Sequence, residues 1–111
     1  MHILREPDEL VGKPYDAETF HCWHFIEECL DVPRLQHLSV DRAEENINDN
    51  LPFFIEREEP MDYCLVLLGT RHIGIYKNGN VYHNDRDAVK CQPLRVLKRL
   101  YNPITYYDKV H

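Results

Sequence analysis

One cysteine of the chain lies where the start of a helix would make its sulfur reactive. The chain has 111 residues, and Cys22 falls in the opening turn of a helix predicted over about residues 20–30. Free backbone N–H groups and the positive end of the helix dipole favour a thiolate there. Cys29, Cys64 and Cys91 lack that setting. Position therefore ranks Cys22 first as a nucleophile, and the alternative is that Cys22 simply begins a buried apolar stripe.

Two histidines are predicted to meet at the open end of a β-hairpin. His72 begins the strand before a strong hairpin signal, Asn78-Gly79, and His83 ends the strand after it. Cross-strand neighbours lie ~5 Å apart, within reach of a hydrogen bond between long side chains. A thiolate mechanism needs an imidazole to move the proton and a polar group to orient it. The pair suits these two roles, and the alternative is two half-exposed histidines at strand ends.

The elements that must position these groups follow from periodicity and turn signals. The first helix is expected to be capped by Asp16 or Thr19. The order of elements predicts one α+β domain over residues 1–111, with N-terminal helices packed on a mostly antiparallel sheet and all helices on one side of that sheet. Helices are predicted over about 20–30, 34–48 and 93–101, and strands over 62–68, 72–76, 81–84, 88–91 and 104–107.

Charge and hydropathy exclude two classes of function. The net charge is −6, with 13 basic and 19 acidic residues, whereas sequence-independent nucleic-acid binding needs a basic surface. The longest apolar run, residues 63–68, is far below the ~20 residues that cross a bilayer, so we expect no membrane span. The N-terminus has no basic start followed by an apolar stretch, so we expect synthesis in the cytoplasm without a secretion signal.

A zinc site is an alternative use of the same side chains. Its ligands would be Cys22, His72, His83 and either His21 or His24. Paired, short-spaced ligands are missing from the sequence, and adjacent His21 and Cys22 give awkward geometry. We therefore expect no metal.

Five short segments occur in an order that is typical of one family. They are Gly12-Lys13-Pro14-Tyr15, Phe20-His21-Cys22-Trp23-His24-Phe25-Ile26, Pro60-Met61-Asp62-Tyr63, His72-Ile73-Gly74-Ile75-Tyr76 and Asn78-Gly79-Asn80-Val81-Tyr82-His83. Over roughly residues 10–107, the chain resembles the NlpC family of cell-wall cysteine peptidases, and most closely the compact phage and prophage branch. The resemblance implies a minimal papain-like α+β fold.

The resemblance also implies roles for individual residues. Cys22 would be the nucleophile, His72 the general base and His83 the residue that orients it. Tyr15 matches a tyrosine that lies near the nucleophile and helps to bind substrate or the oxyanion. Trp23 and His21, on either side of the nucleophile, are the other candidate substrate-binding or oxyanion residues. The implied reaction is hydrolysis of an amide in a peptidoglycan peptide, beside a D-γ-glutamyl or diamino-acid residue, without a metal or organic cofactor.

Three positions depart from the family pattern. His21 stands where aspartate is usual, His24 where a small residue is usual, and Met61 where glycine is usual. These departures favour an alternative function, a binding or structural module of a phage-tail or secretion-system assembly on the same fold. In either case such an assembly is the expected partner, because a cell-wall role requires delivery.

Overall fold

The computed structural model describes residues 2–32, 43–50 and 53–109, which form three α-helices and six strands. Every strand pairing is antiparallel, and the sheet order is β1-β6-β2-β3-β4-β5. The predicted α+β class is confirmed. In chain order the elements are a 3-10 helix (Pro7–Leu10), α1 (Cys22–Cys29), α2 (Ala43–Asn48), β1 (Phe54–Arg57), β2 (Leu65–Leu68), β3 (His72–Lys77), β4 (Asn80–Asn84), β5 (Val89–Pro93), α3 (Leu94–Leu100) and β6 (Ile104–Lys109).

Strand β2 divides the core into two layers. All four of its residues are buried, and the strand lies between β6 and β3. Leu65 and Leu67 belong to the layer shared with α1 and α2, whereas Val66 and Leu68 belong to the layer behind the sheet. Side chains of a strand alternate between its faces, so an unbroken apolar run requires cover on both.

The third helix supplies the cover for the second face. Leu94 and Leu97 of α3 pack in the layer that contains Val66 and Tyr106. The prediction that the helices lie on one side of the sheet is therefore wrong for α3, although α1 and α2 do pack together on the other side. The physical reason is that β2 is apolar on both faces. Among the described residues, no helix has the length and apolar character needed to cross a membrane.

The first helix is shorter than predicted and has a different cap. It covers Cys22–Cys29, and the carboxylate of Asp16 accepts hydrogen bonds from the backbone N–H groups of Glu18 (2.9 Å) and Thr19 (3.0 Å). Asp16 thus closes a turn ahead of α1 and does not cap the helix. Within the second predicted helix the structure shows Ala43–Asn48, and residues 34–42 lie outside the described residues.

One strand was not predicted, and the bounds of several others differ from prediction. Strand β1, Phe54–Arg57, is a sheet edge with three exposed residues, and its sequence has no alternating pattern to predict it. The expected strand over 62–68 begins at Leu65, because Tyr63 has a positive φ of 68° and turns the chain. Strand β5 continues to Pro93, two residues beyond its predicted end.

The hairpin of β3 and β4 has the predicted register. Tyr76 pairs with Val81 across a turn in which Asn78 (φ 52°) and Gly79 (φ 81°) both have positive φ, as a two-residue hairpin turn requires. This register places Gly74 opposite His83. A Cβ atom at Gly74 would lie 2.6 Å from the Val81 Cγ1 atom and 3.1 Å from the His83 Cβ atom, so the two strands tolerate no side chain there.

Gly74→Ala is expected to lower the free energy of unfolding by about 1–3 kcal/mol, because the added methyl group overpacks the interface between β3 and β4. Urea unfolding, followed by the fluorescence of the chain's one tryptophan, measures the change. Val96→Ala, at a partly exposed position of α3, serves as the control and should stay within about 0.5 kcal/mol of the wild type. A Gly74→Ala protein as stable as the control would contradict the close approach.

Candidate active site

Two stacked imidazoles hold the start of α1, where Cys22 is the first helical residue. The Nδ1 atom of His21 accepts a hydrogen bond from the Trp23 backbone N–H (3.2 Å). The Nδ1 atom of His24 accepts one from the His21 backbone N–H (3.3 Å), and the two ring centroids lie 3.9 Å apart. This reciprocal arrangement is a capping box made from histidines, in place of the usual hydroxyl and carboxyl side chains.

His21 must be neutral to act as this cap, since a protonated Nδ1 atom has no lone pair for the Trp23 N–H. Burial lowers the pKa of His21 to about 4, and the neighbouring His24 lowers it as well. The side chain is 2% exposed. The aspartate that is usual at this position in the NlpC family would be negatively charged at neutral pH, whereas His21 is uncharged.

A chain of hydrogen bonds leads from β5 to the start of β3. The His72 Nε2 atom lies 2.7 Å from the His83 Nδ1 atom, and the His83 Nε2 atom lies 2.6 Å from the Gln92 Oε1 atom. His83 stands opposite Gly74, on the same face as His72, so its ring reaches diagonally across the position that has no side chain. We call His72, His83 and Gln92 the relay.

The amide of Gln92 decides which nitrogen of each ring carries a proton. Because its oxygen can only accept, the His83 Nε2 atom must donate, and the neutral His83 ring then accepts at Nδ1. The His72 Nε2 atom therefore donates to His83, which leaves Nδ1 as the His72 nitrogen outside the relay. Burial lowers the pKa of His83, partly offset by the hydrogen bond to Gln92, which favours the neutral ring.

Cys22 and His72 line the same cavity, whose volume is about 280 Å³. The ring of Tyr101 stacks on His72, with centroids 6.1 Å apart and planes at 30°. Tyr15 reaches the cavity because its backbone N–H donates to the Asp87 carbonyl (3.0 Å), which attaches residues 12–15 to the start of β5. The lining residues are Tyr15, Cys22, Arg71, His72, Asp85, Arg86 and Tyr101.

The structure separates the six residues singled out from the sequence. Tyr15, Cys22 and His72 line the cavity, and His83 lies behind His72 in the relay. The residues next to the nucleophile do not line it. The Trp23 ring is 1% exposed and packs edge-on against Phe54, with centroids 6.4 Å apart, while His21 caps the helix.

Five residues of this region were not predicted as site residues: Arg71, Asp85, Arg86, Gln92 and Tyr101. Gln92 was missed because the predicted strand ended at residue 91, so its pairing with Val81 on β4 was not foreseen. Extending the predicted strand by one residue would have placed Gln92 beside β4, on the same face as His83. Arg71 and Arg86 flank His72 and Asp85 in the sequence, and only the fold brings them to one cavity.

Two other cysteines are unsuited to nucleophilic chemistry. Burial raises the pKa of the Cys29 thiol to about 12 and that of the Cys64 thiol to about 11, so both stay protonated at neutral pH. Cys91 is exposed on β5 and is not among the lining residues. Of the four cysteines, Cys22 is the one that lines the cavity.

Comparison with protein-family models, with curated proteins and with solved structures finds no match for this chain. The papain-like identity of the fold therefore stays a prediction. Within the described residues, no group of three or more histidine, cysteine, aspartate or glutamate side chains is placed to hold a metal ion. The Nδ1 atoms of His21 and His24 are engaged in the helix cap, so either ring could bind a metal only through Nε2.

The neutral cap predicts a loss of stability in acid that depends on His21. An unfolded histidine, with a pKa of ~6.5, binds a proton that the folded chain excludes until about pH 4. The stability that His21 contributes is fully present when the pH is above the pKa of the unfolded state. It is lost as the pH falls to the pKa of the folded state. The free energy of unfolding is expected to fall by about 2–3 kcal/mol from this group alone.

The variant His21→Asn keeps a side-chain acceptor at the cap and removes the titrating ring. Urea unfolding at a series of pH values should show a smaller loss for this variant than for the wild type. His2→Asn, at an exposed histidine, should retain the wild-type pH dependence. Identical pH dependence in His21→Asn and the wild type would disprove the neutral cap.

Proposed function

We propose that the protein is a cysteine hydrolase that cuts amide bonds in peptidoglycan peptides with Cys22, His72 and His83. The observation that supports it most strongly is the relay, which ends at His72 in the cavity that also contains Cys22. A nucleophile, a base and a group that orients the base are the parts that this chemistry needs. Cys22 lies at the N-terminus of α1, where the positive end of the helix dipole favours the thiolate.

The proposed reaction proceeds in two steps. The Cys22 thiolate attacks the amide carbonyl, the C–N bond breaks, and the His72 Nδ1 atom gives its proton to the departing amine. Water then loses a proton to the same nitrogen and attacks the acyl-enzyme, releasing the acid and restoring the thiolate. Tyr15 and the Cys22 backbone N–H at the start of α1 would stabilise the negative oxygen of each intermediate.

The substrate class rests on the resemblance to NlpC peptidases, and the three departures from that family do not obstruct the site. His21 and His24 form the helix cap, and Met61 is 51% exposed on the surface. None of the three lines the cavity. Their positions favour catalysis over a module that only binds. Delivery to the cell wall by a phage tail or secretion assembly is part of the proposal.

Cys22→Ala is expected to reduce the release of muropeptides from purified peptidoglycan by about 10³-fold or more, because among the described lining residues Cys22 is the one thiol that can form the acyl-enzyme. Mass spectrometry of the soluble products measures the release. Cys91→Ala, at the exposed cysteine outside the cavity, should retain wild-type activity. Circular dichroism of both variants checks that the fold is intact, since alanine is well tolerated in a helix.

Alkylation provides a second readout for the same nucleophile. Iodoacetamide near neutral pH should modify Cys22 and leave Cys29 and Cys64 unmodified, since burial keeps those two thiols protonated. Peptide mapping separates Cys22 from the exposed Cys91. Muropeptide release by Cys22→Ala at the wild-type rate, or no reaction of Cys22 above the level of Cys29, would refute the assignment.

Gln92 is expected to act as a positioning residue through His83. In Gln92→Leu the His83 ring can place its proton on Nδ1, where it no longer accepts from His72. We expect kcat to fall about tenfold with little change in KM, since one hydrogen bond to the relay is lost. The alkaline limb of the pH profile should move to lower pH, because the imidazolium form of His72 loses its acceptor.

Gln92→Glu should move the same limb to higher pH, because a carboxylate next to His83 favours positive charge on the relay. Cys91→Ala, one residue away on β5, is the matched control and should keep the wild-type profile. A pH profile that is identical in both Gln92 variants and in the control would show that Gln92 serves only packing.

A further inference from the structure

Two neighbouring residues of β4 contact the two halves of the candidate site. Side chains of a strand alternate between its faces, so His83 and Asn84 lie on opposite faces of the sheet. The His83 ring contacts His72, the proposed base, on the face that α3 covers. Asn84 lies on the face that α1 covers, and its Nδ2 atom donates a hydrogen bond to the Phe20 carbonyl (2.8 Å), two residues before Cys22.

The Phe20 carbonyl is held from two sides. Besides the Asn84 amide, the Asp16 backbone N–H donates to it (3.0 Å), so both lone pairs of the oxygen are engaged. The Phe20 ring is buried and packs edge-on against Phe25 of α1, with centroids 6.5 Å apart. Asp16 belongs to the turn ahead of α1, whereas Asn84 belongs to the sheet. The bond from Asn84 therefore ties the backbone ahead of Cys22 to strand β4.

Asn84 is fully buried, although half of its amide makes no hydrogen bond. The residue is 0% exposed, and its Oδ1 atom has no hydrogen-bond partner among the described residues. The amide cannot be turned round, because the Phe20 carbonyl can only accept. A buried acceptor without a partner destabilises a fold, and an apolar side chain of similar size would avoid this. The bond to Phe20, rather than packing, therefore explains an asparagine at this position.

On the basis of the proposed function, we infer that Asn84 is a positioning residue, whose amide fixes the backbone ahead of Cys22 and thereby places the sulfur relative to His72. Strand β4 is hydrogen-bonded to β3 on one side and to β5 on the other, so it is a firm support for both groups. His83 orients the base from one face of this strand, and Asn84 holds the start of the nucleophile's helix from the other.

The kinetic test replaces the amide with side chains that cannot donate. In Asn84→Leu, which keeps the size, and in Asn84→Ala, which cannot overpack, kcat for a soluble peptidoglycan peptide should fall about 10- to 100-fold, because small displacements of reacting groups slow bond formation. KM should change less than about threefold, since substrate binding is largely retained. The same two changes at Asn46, a buried asparagine of α2, are the matched controls and should retain kcat.

Alkylation of Cys22 by iodoacetamide is a readout that needs no turnover. A thiolate is stabilised by a nearby imidazolium, so moving the sulfur away from His72 should shift the rate profile by about 1 unit to higher pH in both Asn84 variants. The Asn46 variants should keep the wild-type profile. The variants leave every other titratable or charged group near Cys22 in place: His21 and His24 of the cap, and the cavity residues Tyr15, Arg71, His72, Asp85, Arg86 and Tyr101.

The two readouts separate this inference from the proposed function. Wild-type kcat and alkylation profile in both Asn84 variants, together with cleavage by the wild type, would overturn the inference and leave the proposed function in place. A shifted profile in the Asn84 variants of a protein whose wild type cleaves no peptide would reject the hydrolase proposal and support placement of the sulfur by Asn84. Equal losses in the Asn84 and Asn46 variants, or loss of the circular dichroism of the fold in both Asn84 variants, would assign Asn84 to the fold alone and overturn the inference.

Discussion

The register of the β3–β4 hairpin decides where the polar groups of the candidate site lie. It sets Gly74 opposite His83, and the missing side chain leaves the space through which the His83 ring approaches His72. A shift of β4 by one residue against β3 would turn His83 to the other face of the sheet, away from His72. The hydrogen bonds from His72 to His83 and on to Gln92 exist because this pairing is exact.

The candidate nucleophile and the relay come from opposite layers of the fold. Cys22 belongs to the core layer of α1, whereas His83 shares its face of the sheet with Val81, which packs in the layer of α3. They can approach each other at the end of the sheet, where His72 is the first residue of β3. Packing on both faces of the sheet therefore positions the site as well as forming the core. The layer with α1 holds Cys22, and the layer with α3 holds His83.

Sequence reasoning succeeded where the controlling interactions are local. The Asn78-Gly79 turn determines the hairpin register, and from that register the proximity of His72 and His83 could be deduced. It failed where distant parts of the chain decide. The inward orientation of Trp23 depends on packing against Phe54, and Gln92 enters the relay through a strand whose length is set by its pairing with β4.

Two further differences have equally specific causes. The helix cap was expected from Asp16 or Thr19, because oxygen acceptors are the usual caps, and a buried imidazole with a free nitrogen is a rare substitute. The side of the sheet on which α3 packs could have been read from the unbroken apolar run of β2, which demands cover on both faces.

The histidine cap also has an electrostatic consequence for the sulfur that follows it. A carboxylate at position 21 would add a fixed negative charge one residue from Cys22 and would repel a thiolate. The imidazole supplies the same hydrogen bond to the Trp23 N–H without that charge. The chain thus gives up the attraction between an anionic cap and the helix dipole, and it leaves the dipole's positive end to act on the sulfur alone.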